Sequence, residues 1–228
     1  MFMKKNLNKL LLVSIFLLAG CSETKKGNTM KNSNNLNTSE TKSEKESNLN
    51  IIKEDYAIIS TSFGNMTVKF FEGAAPKHVE SFKIHAENGY YNGTIFHRVI
   101  PGFMIQGGDP NTKGDNKASY GTGGYAAKYY GIGNENDMKT WSLPAEFNNI
   151  KHTRGILSMA RSNDPNSGGS QFFICATTVP HLNGKYTVFG QVVDGLEIID
   201  QIINLPRDAR DNPNRRVEMS VKIEQKEK

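Results

Sequence analysis

The chain has 228 residues, and its 37% hydrophobic and 22% charged composition supplies a core but no 18-residue apolar run, which excludes a polytopic helical membrane protein. The formal net charge of +5 sits at the start: residues 1–50 hold eight Lys against four Glu, leaving 20 basic and 19 acidic residues in 51–228. So neutral a remainder has no basic field for a phosphate backbone, and nucleic acid is set aside as a partner.

Lys4, Lys5 and Lys9 precede the uncharged run 10–19, a basic region followed by a short apolar one, as in a secretory signal. The run is too short to span a bilayer comfortably. It ends Leu18-Ala19-Gly20-Cys21, small residues before a cysteine, which resembles the lipobox of bacterial lipoproteins. The resemblance implies a signal over 1–20, lipidation of Cys21, and an extracytoplasmic domain held to a bacterial membrane, periplasmic side or cell surface, through its acyl chains alone. Residues 22–50 contain seven Asn, five Ser, four Thr and nine charges, with only Met30, Leu36 and Leu49 as sizeable apolar side chains. Such a segment cannot bury enough surface to offset its ordering entropy, so 21–50 reads as a lipidated cysteine and a disordered tether, reaching about 30 Å.

A single domain is expected over 51–228. Ala57, Ile59, Thr61 and Phe63 alternate, then Met66, Val68 and Phe70 after Gly64-Asn65, which predicts a hairpin. Pro76 suits the first turn of a helix carrying Val79, Phe82 and Ala86 and stopped by Asn88-Gly89. Strand-like runs follow at 95–100, 103–105, 155–160, 170–176, 187–193 and 217–223. A second helix is expected over 194–203, with Asp194 and Glu197 as a loose capping box and Leu196, Ile199 and Ile203 on one face. Many short strands with two helices point to a barrel or sandwich. Cys175 lies in the strand-like run Gln171-Phe172-Phe173-Ile174-Cys175 and reads as a buried thiol, unpaired with Cys21.

The most informative stretch is Phe96-His97-Arg98-Val99-Ile100-Pro101-Gly102-Phe103-Met104-Ile105-Gln106-Gly107-Gly108-Asp109. Alternation sets Phe103 and Ile105 against Met104 and Gln106, although a bend brings Phe103 and Gln106 to one cavity; spacing alone leaves Arg98 a surface ion-pair partner. With Asn88-Gly89-Tyr90-Tyr91, Gly121-Thr122-Gly123-Gly124, Gly155-Ile156-Leu157-Ser158-Met159-Ala160, Gly169-Ser170-Gln171-Phe172-Phe173-Ile174 and Leu182-Asn183-Gly184-Lys185-Tyr186-Thr187-Val188-Phe189-Gly190, the stretch resembles the cyclophilin family of peptidyl-prolyl cis-trans isomerases over nearly all of 55–224. The resemblance implies an all-β-dominated fold, an eight-stranded antiparallel closed β-barrel capped by two α-helices; a monomeric domain is the expectation, although nothing in the sequence fixes the oligomeric state.

It also implies isomerisation of X–Pro bonds in proline-containing polypeptides, without cofactor or metal. Arg98, Phe103 and Gln106 are then the catalytic set. His97, Met104, Ala160, Arg161, Gln171, Phe173, His181, Leu182 and Tyr186 surround the substrate, with Gln171 supporting through hydrogen bonds and His97 orienting. A tethered chaperone or adhesive peptide-binding module using the same groove is the alternative. His78 and His85 lie seven apart, too far for a ligand pair, and are expected in solvent. No G-x-S-x-G, H-E-x-x-H or phosphate-loop pattern occurs. His181 stands where many cyclophilins carry tryptophan and Tyr186 where many carry histidine, which lowers the expectation of tight cyclosporin binding. The long segment 125–143 either extends the groove rim and alters peptide preference or is a surface excursion.

Overall fold

The computed structural model describes residues 53–227, so the signal, the lipidated Cys21 and the tether expected over 1–50 lie outside the described residues. Nine strands and two α-helices follow in the order β1 (Lys53–Thr61), β2 (Gly64–Phe70), α1 (Pro76–Glu87), β3 (Thr94–Ile95), β4 (Arg98–Ile100), β5 (Met104–Gly107), β6 (Ile156–Met159), β7 (Phe172–Cys175), β8 (Val188–Asp194), α2 (Leu196–Ile203) and β9 (Glu218–Glu227). All the ladders are antiparallel and join one sheet in the order β3-β9-β1-β2-β8-β6-β7-β5-β4.

The all-β-dominated, two-helix expectation holds, but the closed eight-stranded barrel is corrected to a strongly curled half-barrel of nine strands. Its edges are β3 and β4, and the chain crosses between them through Phe96 and His97. Phe96 donates its N–H to Val217 O on one side, and His97 donates to Gln106 O on the other, both at 3.0 Å. With two residues bridging the seam, the edges have no ladder between them.

The first hairpin turns at Ser62-Phe63, with Thr61 paired to Gly64, so Gly64-Asn65 opens β2 and is not the turn. Pro76 begins α1, as its fixed φ and missing N–H allow, and Gly89 follows the helix at φ 66°. The capping box expected for α2 does not form. Asp194 ends β8, and Gly195 is the N-cap at φ 82°, without a side-chain cap. A Cβ there would strike the Asn65 carbonyl, so the tight β8–α2 corner needs glycine.

Strand alternation divides the apolar residues into two cores. The inner one contains Ile59, Val68, Val99, Ile105, Leu157, Phe172, Ile174 and Phe189, with Phe82 of α1 among the rings. The outer one contains Met104, Ile156, Phe173, Cys175, Val179, Leu182 and Val188 on the other face of β5–β8. The candidate site is built on the second.

Candidate active site

Cross-strand register assembles the site. Arg98 pairs with Gln106, Gln106 with Phe173, and Phe173 with Ser158, a row running across β4, β5, β7 and β6. Directly opposed residues share a face, so one cation, one amide, one ring and one hydroxyl stand side by side. Phe103 belongs to the turn before β5, outside strand alternation, and this brings it to the same hollow as Gln106.

That hollow has a volume of about 180 Å³ and is lined by Arg98, Phe103, Met104, Gln106, Ala160, Arg161, Phe173, Leu182 and Tyr186. Met104, Phe173 and Leu182 are buried and form its apolar wall. Phe173 is held on both sides. The His152 ring stacks on it with centroids 6.1 Å apart, and Tyr186 meets it edge-on at 5.8 Å. His152 Nε2 lies 3.0 Å from Ser158 Oγ, which donates to Thr187 O at 3.0 Å. Burial lowers the His152 pKa, which keeps this support uncharged.

Arg161 closes another side. Its guanidinium lies 4.4 Å from the Tyr186 ring centroid and donates to Lys185 O and Ser162 O, each at 2.8 Å. His181 stacks on Phe103 at 5.9 Å as an outer support and does not line the hollow.

The polar edge is an amide chain. Arg98 Nη1 donates to Gln106 Oε1 at 3.5 Å, Gln106 Nε2 to Gln171 Oε1 at 3.0 Å, and Gln171 Nε2 to Gly123 O at 2.7 Å. Gln171 thus steadies Gln106 from behind. It lines an adjoining hollow of about 260 Å³ formed with Gly121, Thr122, Gly123 and Gly124, and that hollow shares Gln106, Ala160 and Arg161 with the first.

His97, expected against substrate, is 3% exposed and absent from both hollows; it lies at the seam, with Asn212 Nδ2 donating to its carbonyl at 2.7 Å. Burial pushes its pKa down to about 4, opposed by the Asp109 carboxylate. His78 and His85 are likewise buried and not in solvent. His78 Nδ1 lies 2.6 Å from Glu146 Oε2, and His85 Nε2 lies 2.8 Å from Tyr125 O. Segment 125–143 covers that side of α1: Ala127 N donates to Ser81 Oγ at 2.9 Å, and Lys128 and Tyr130 both reach the Glu80 carboxylate. It lines neither hollow, so its placement gives the specificity idea no support.

Cys175 is buried in β7, and burial pushes its thiol up to about 12, where thiolate is negligible at neutral pH. Among the described residues, no group of three or more His, Cys, Asp or Glu side chains converges on a metal position. Sequence reasoning assigned no role to His152, Ser158 or Asp211; Asp211 Oδ2 lies 3.9 Å from Arg98 Nε.

The profile of the family described as cyclophilin type peptidyl-prolyl cis-trans isomerase/CLD matches residues 56–225. The peptidyl-prolyl cis-trans isomerase-like 2 of Rhizopus delemar is 42% identical over 171 residues, 74% of this chain and 28% of that protein. Peptidyl-prolyl cis-trans isomerase 9 of Schizosaccharomyces pombe is 40% identical over 169 residues, 74% of this chain and 25% of its own length. The chain therefore spans only about a quarter of these two curated relatives. It covers 84% of the peptidyl-prolyl cis-trans isomerase-like 1 of Aspergillus niger, at 41% identity over 154 residues, 67% of this chain. Among solved structures, a cyclophilin type peptidyl-prolyl cis-trans isomerase of Cryptosporidium parvum, crystallised in the presence of the dipeptide Ala-Pro, superposes with TM-score 0.64 at 35% identity; the match covers 74% of this chain and 98% of that one.

Proposed function

This chain belongs to the cyclophilin-type peptidyl-prolyl cis-trans isomerase family, and from that premise we propose that it accelerates rotation about X–Pro bonds in exposed segments of polypeptides, with Arg98 as the electrophilic donor. The barrier to rotation is amide resonance, about 18–20 kcal/mol, and uncatalysed exchange takes tens of seconds or more. Twisting the C–N bond returns a lone pair to the prolyl nitrogen. A donor fixed over that atom stabilises the twisted state more than either planar one. Arginine suits the task because it stays charged and offers N–H groups in a rigid plane.

The observation that carries this reading is a cation and an amide set at one edge of an apolar hollow, with Phe103, Met104, Phe173 and Leu182 as its walls. A proline ring is rigid and apolar, so it fits such walls, while Gln106 would hydrogen-bond the flanking backbone. The Ala-Pro dipeptide used with the Cryptosporidium parvum relative is consistent with a proline-sized guest. Exchange spectroscopy on an Ala-Pro peptide tests the activity. The expected result is exchange on the millisecond scale, a gain of roughly 10⁴ and thus about 5–6 kcal/mol of barrier. Exchange no faster than in buffer would remove the enzyme reading and leave the groove a binding site.

The exported setting is part of the same proposal, supported by the basic start, the short apolar run and Leu18-Ala19-Gly20-Cys21. Lipid on Cys21 would hold the domain outside the membrane, where exported chains fold and proline isomers accumulate. Mass spectrometry of the membrane fraction is expected to find a chain beginning at acylated Cys21, with Cys21→Ser left unprocessed. A mature chain retaining residues 1–20 would defeat the anchor.

A further inference from the structure

We propose that Asp211 is a positioning residue for Arg98, restraining one flank of the guanidinium so that the remaining edge meets the prolyl nitrogen in a fixed orientation; this rests on the role proposed above for Arg98. The arginine fork is approached at two corners, by a long hydrogen bond and by a charge contact. Nη1 donates to Gln106 Oε1 at 3.5 Å, and Nε faces Asp211 Oδ2 at 3.9 Å. Nη2 is the corner without a protein partner among the described residues. A half-exposed arginine otherwise samples many rotamers, and a donor acts on a transient lone pair only when already aimed.

The loop carrying Asp211 is built to hold it there. Asp211 is the non-glycine residue with a left-handed backbone among the described ones, φ 63°, a conformation that Gly and Asn adopt more readily. Its carbonyl accepts Val99 N–H at 2.9 Å, which fastens it beside β4 one residue from Arg98. Asn212 Nδ2 adds the bond to His97 O at 2.7 Å. The Asp208 carboxylate accepts the N–H groups of Arg210 and Asn212 at 2.9 and 3.0 Å, closing the loop on itself. Arg207 Nε donates to the other Asp211 oxygen at 3.1 Å, which fixes the carboxylate plane and leaves Oδ2 for Arg98. The loop geometry alone would be met by Asn or Gly; the carboxylate adds a charge facing Arg98.

Asp211→Asn and Asp211→Gly both suit the backbone and remove the charge. With an uncharged Ala-Pro peptide, each is expected to lower kcat about two- to five-fold at unchanged KM, the range for a part-exposed ion pair. The loss should vanish on an Arg98→Ala background, and raising salt should slow the wild type toward the variants while leaving the variants flat. Unchanged kcat in both variants, with Arg98→Ala still impaired, would overturn the positioning role alone. An equal loss with and without Arg98 would overturn it too, by assigning the effect to the loop. An unimpaired Arg98→Ala would instead overturn the reading of Arg98 itself.

Discussion

Arg98→Ala is expected to slow catalysed X–Pro exchange about 10- to 150-fold, the rate equivalent of one charge-assisted hydrogen bond of about 1.5–3 kcal/mol. That bond supplies only part of the proposed 5–6 kcal/mol, so the variant should remain faster than buffer. The remainder comes from holding the proline ring against Phe103, Met104, Phe173 and Leu182 near the twisted geometry. Because those walls are untouched, peptide affinity should change little, and the loss should fall on kcat. Stability should also be close to wild type: the Arg98 side chain is 44% exposed, and its ion pair with Asp211 is of the kind worth under about 1 kcal/mol.

Arg98→Lys separates charge from shape. A lysine keeps the cation but loses the planar fork that contacts Gln106 with one corner and leaves another free, so its rate should lie nearer to alanine than to arginine. Line-shape analysis of the cis and trans proline signals gives both rate and binding from one titration. Wild-type exchange in Arg98→Ala would sink the proposed chemistry. Suppression of client aggregation that survives the substitution would show that the groove also serves by binding alone.

Most strands and both helices were legible because their side chains alternate or recur every third or fourth residue, as in Ala57 and Ile59 or Val79, Phe82 and Ala86, but the run expected over 95–100 is two strands, β3 and β4. Sheet closure was not, because it depends on whether β3 and β4 pair, and the two residues between them are spent crossing the seam. The α2 cap was misplaced for a local reason: β8 continues through Asp194, and only Gly195 can make the corner beside Asn65. The walls of the site came through a motif. The row Arg98, Gln106, Phe173, Ser158 depends on the register between strands distant in sequence, which no local pattern encodes. His78 and His85 show the same limit from the other side. Periodicity identified the core-facing stripe of α1, but not that Glu146 and segment 125–143 would cover its flank.

Below neutral pH the fold should lose stability well before its carboxylates titrate, and His97 should account for the largest single share. Its pKa falls from 6.5 to about 4, chiefly through burial, with the neighbouring Arg98 charge lowering it further and Asp109 and the Ile95 carbonyl opposing. The unfolded chain binds a proton near pH 6.5 and the native chain does not. Stability from this group is therefore complete above about pH 6.5, declines as the pH falls, and is lost by about pH 4. The full shift corresponds to roughly 3 kcal/mol, with about 2 kcal/mol gone by pH 5. Burial also lowers His85 and His152, which adds slope of the same sign. Asp55, Glu80 and Glu146 are lowered as well, so their stabilisation is lost at still lower pH, as each protonates. Urea midpoints measured from pH 7.5 to 4.5 should therefore be nearly level down to about pH 6.5 and fall from there. In His97→Leu, which cannot protonate and replaces a ring whose Nδ1 has no partner among the described residues, the slope should be shallower by close to one proton. Parallel slopes for the two proteins would refute the assignment. Over the upper part of the same range the rate constant for exchange should stay level while the protein remains folded, because a guanidinium donor moves no proton and His97 is already neutral. A level rate above a sloping stability is what separates an enzyme that works through a fixed cation from one that moves a proton.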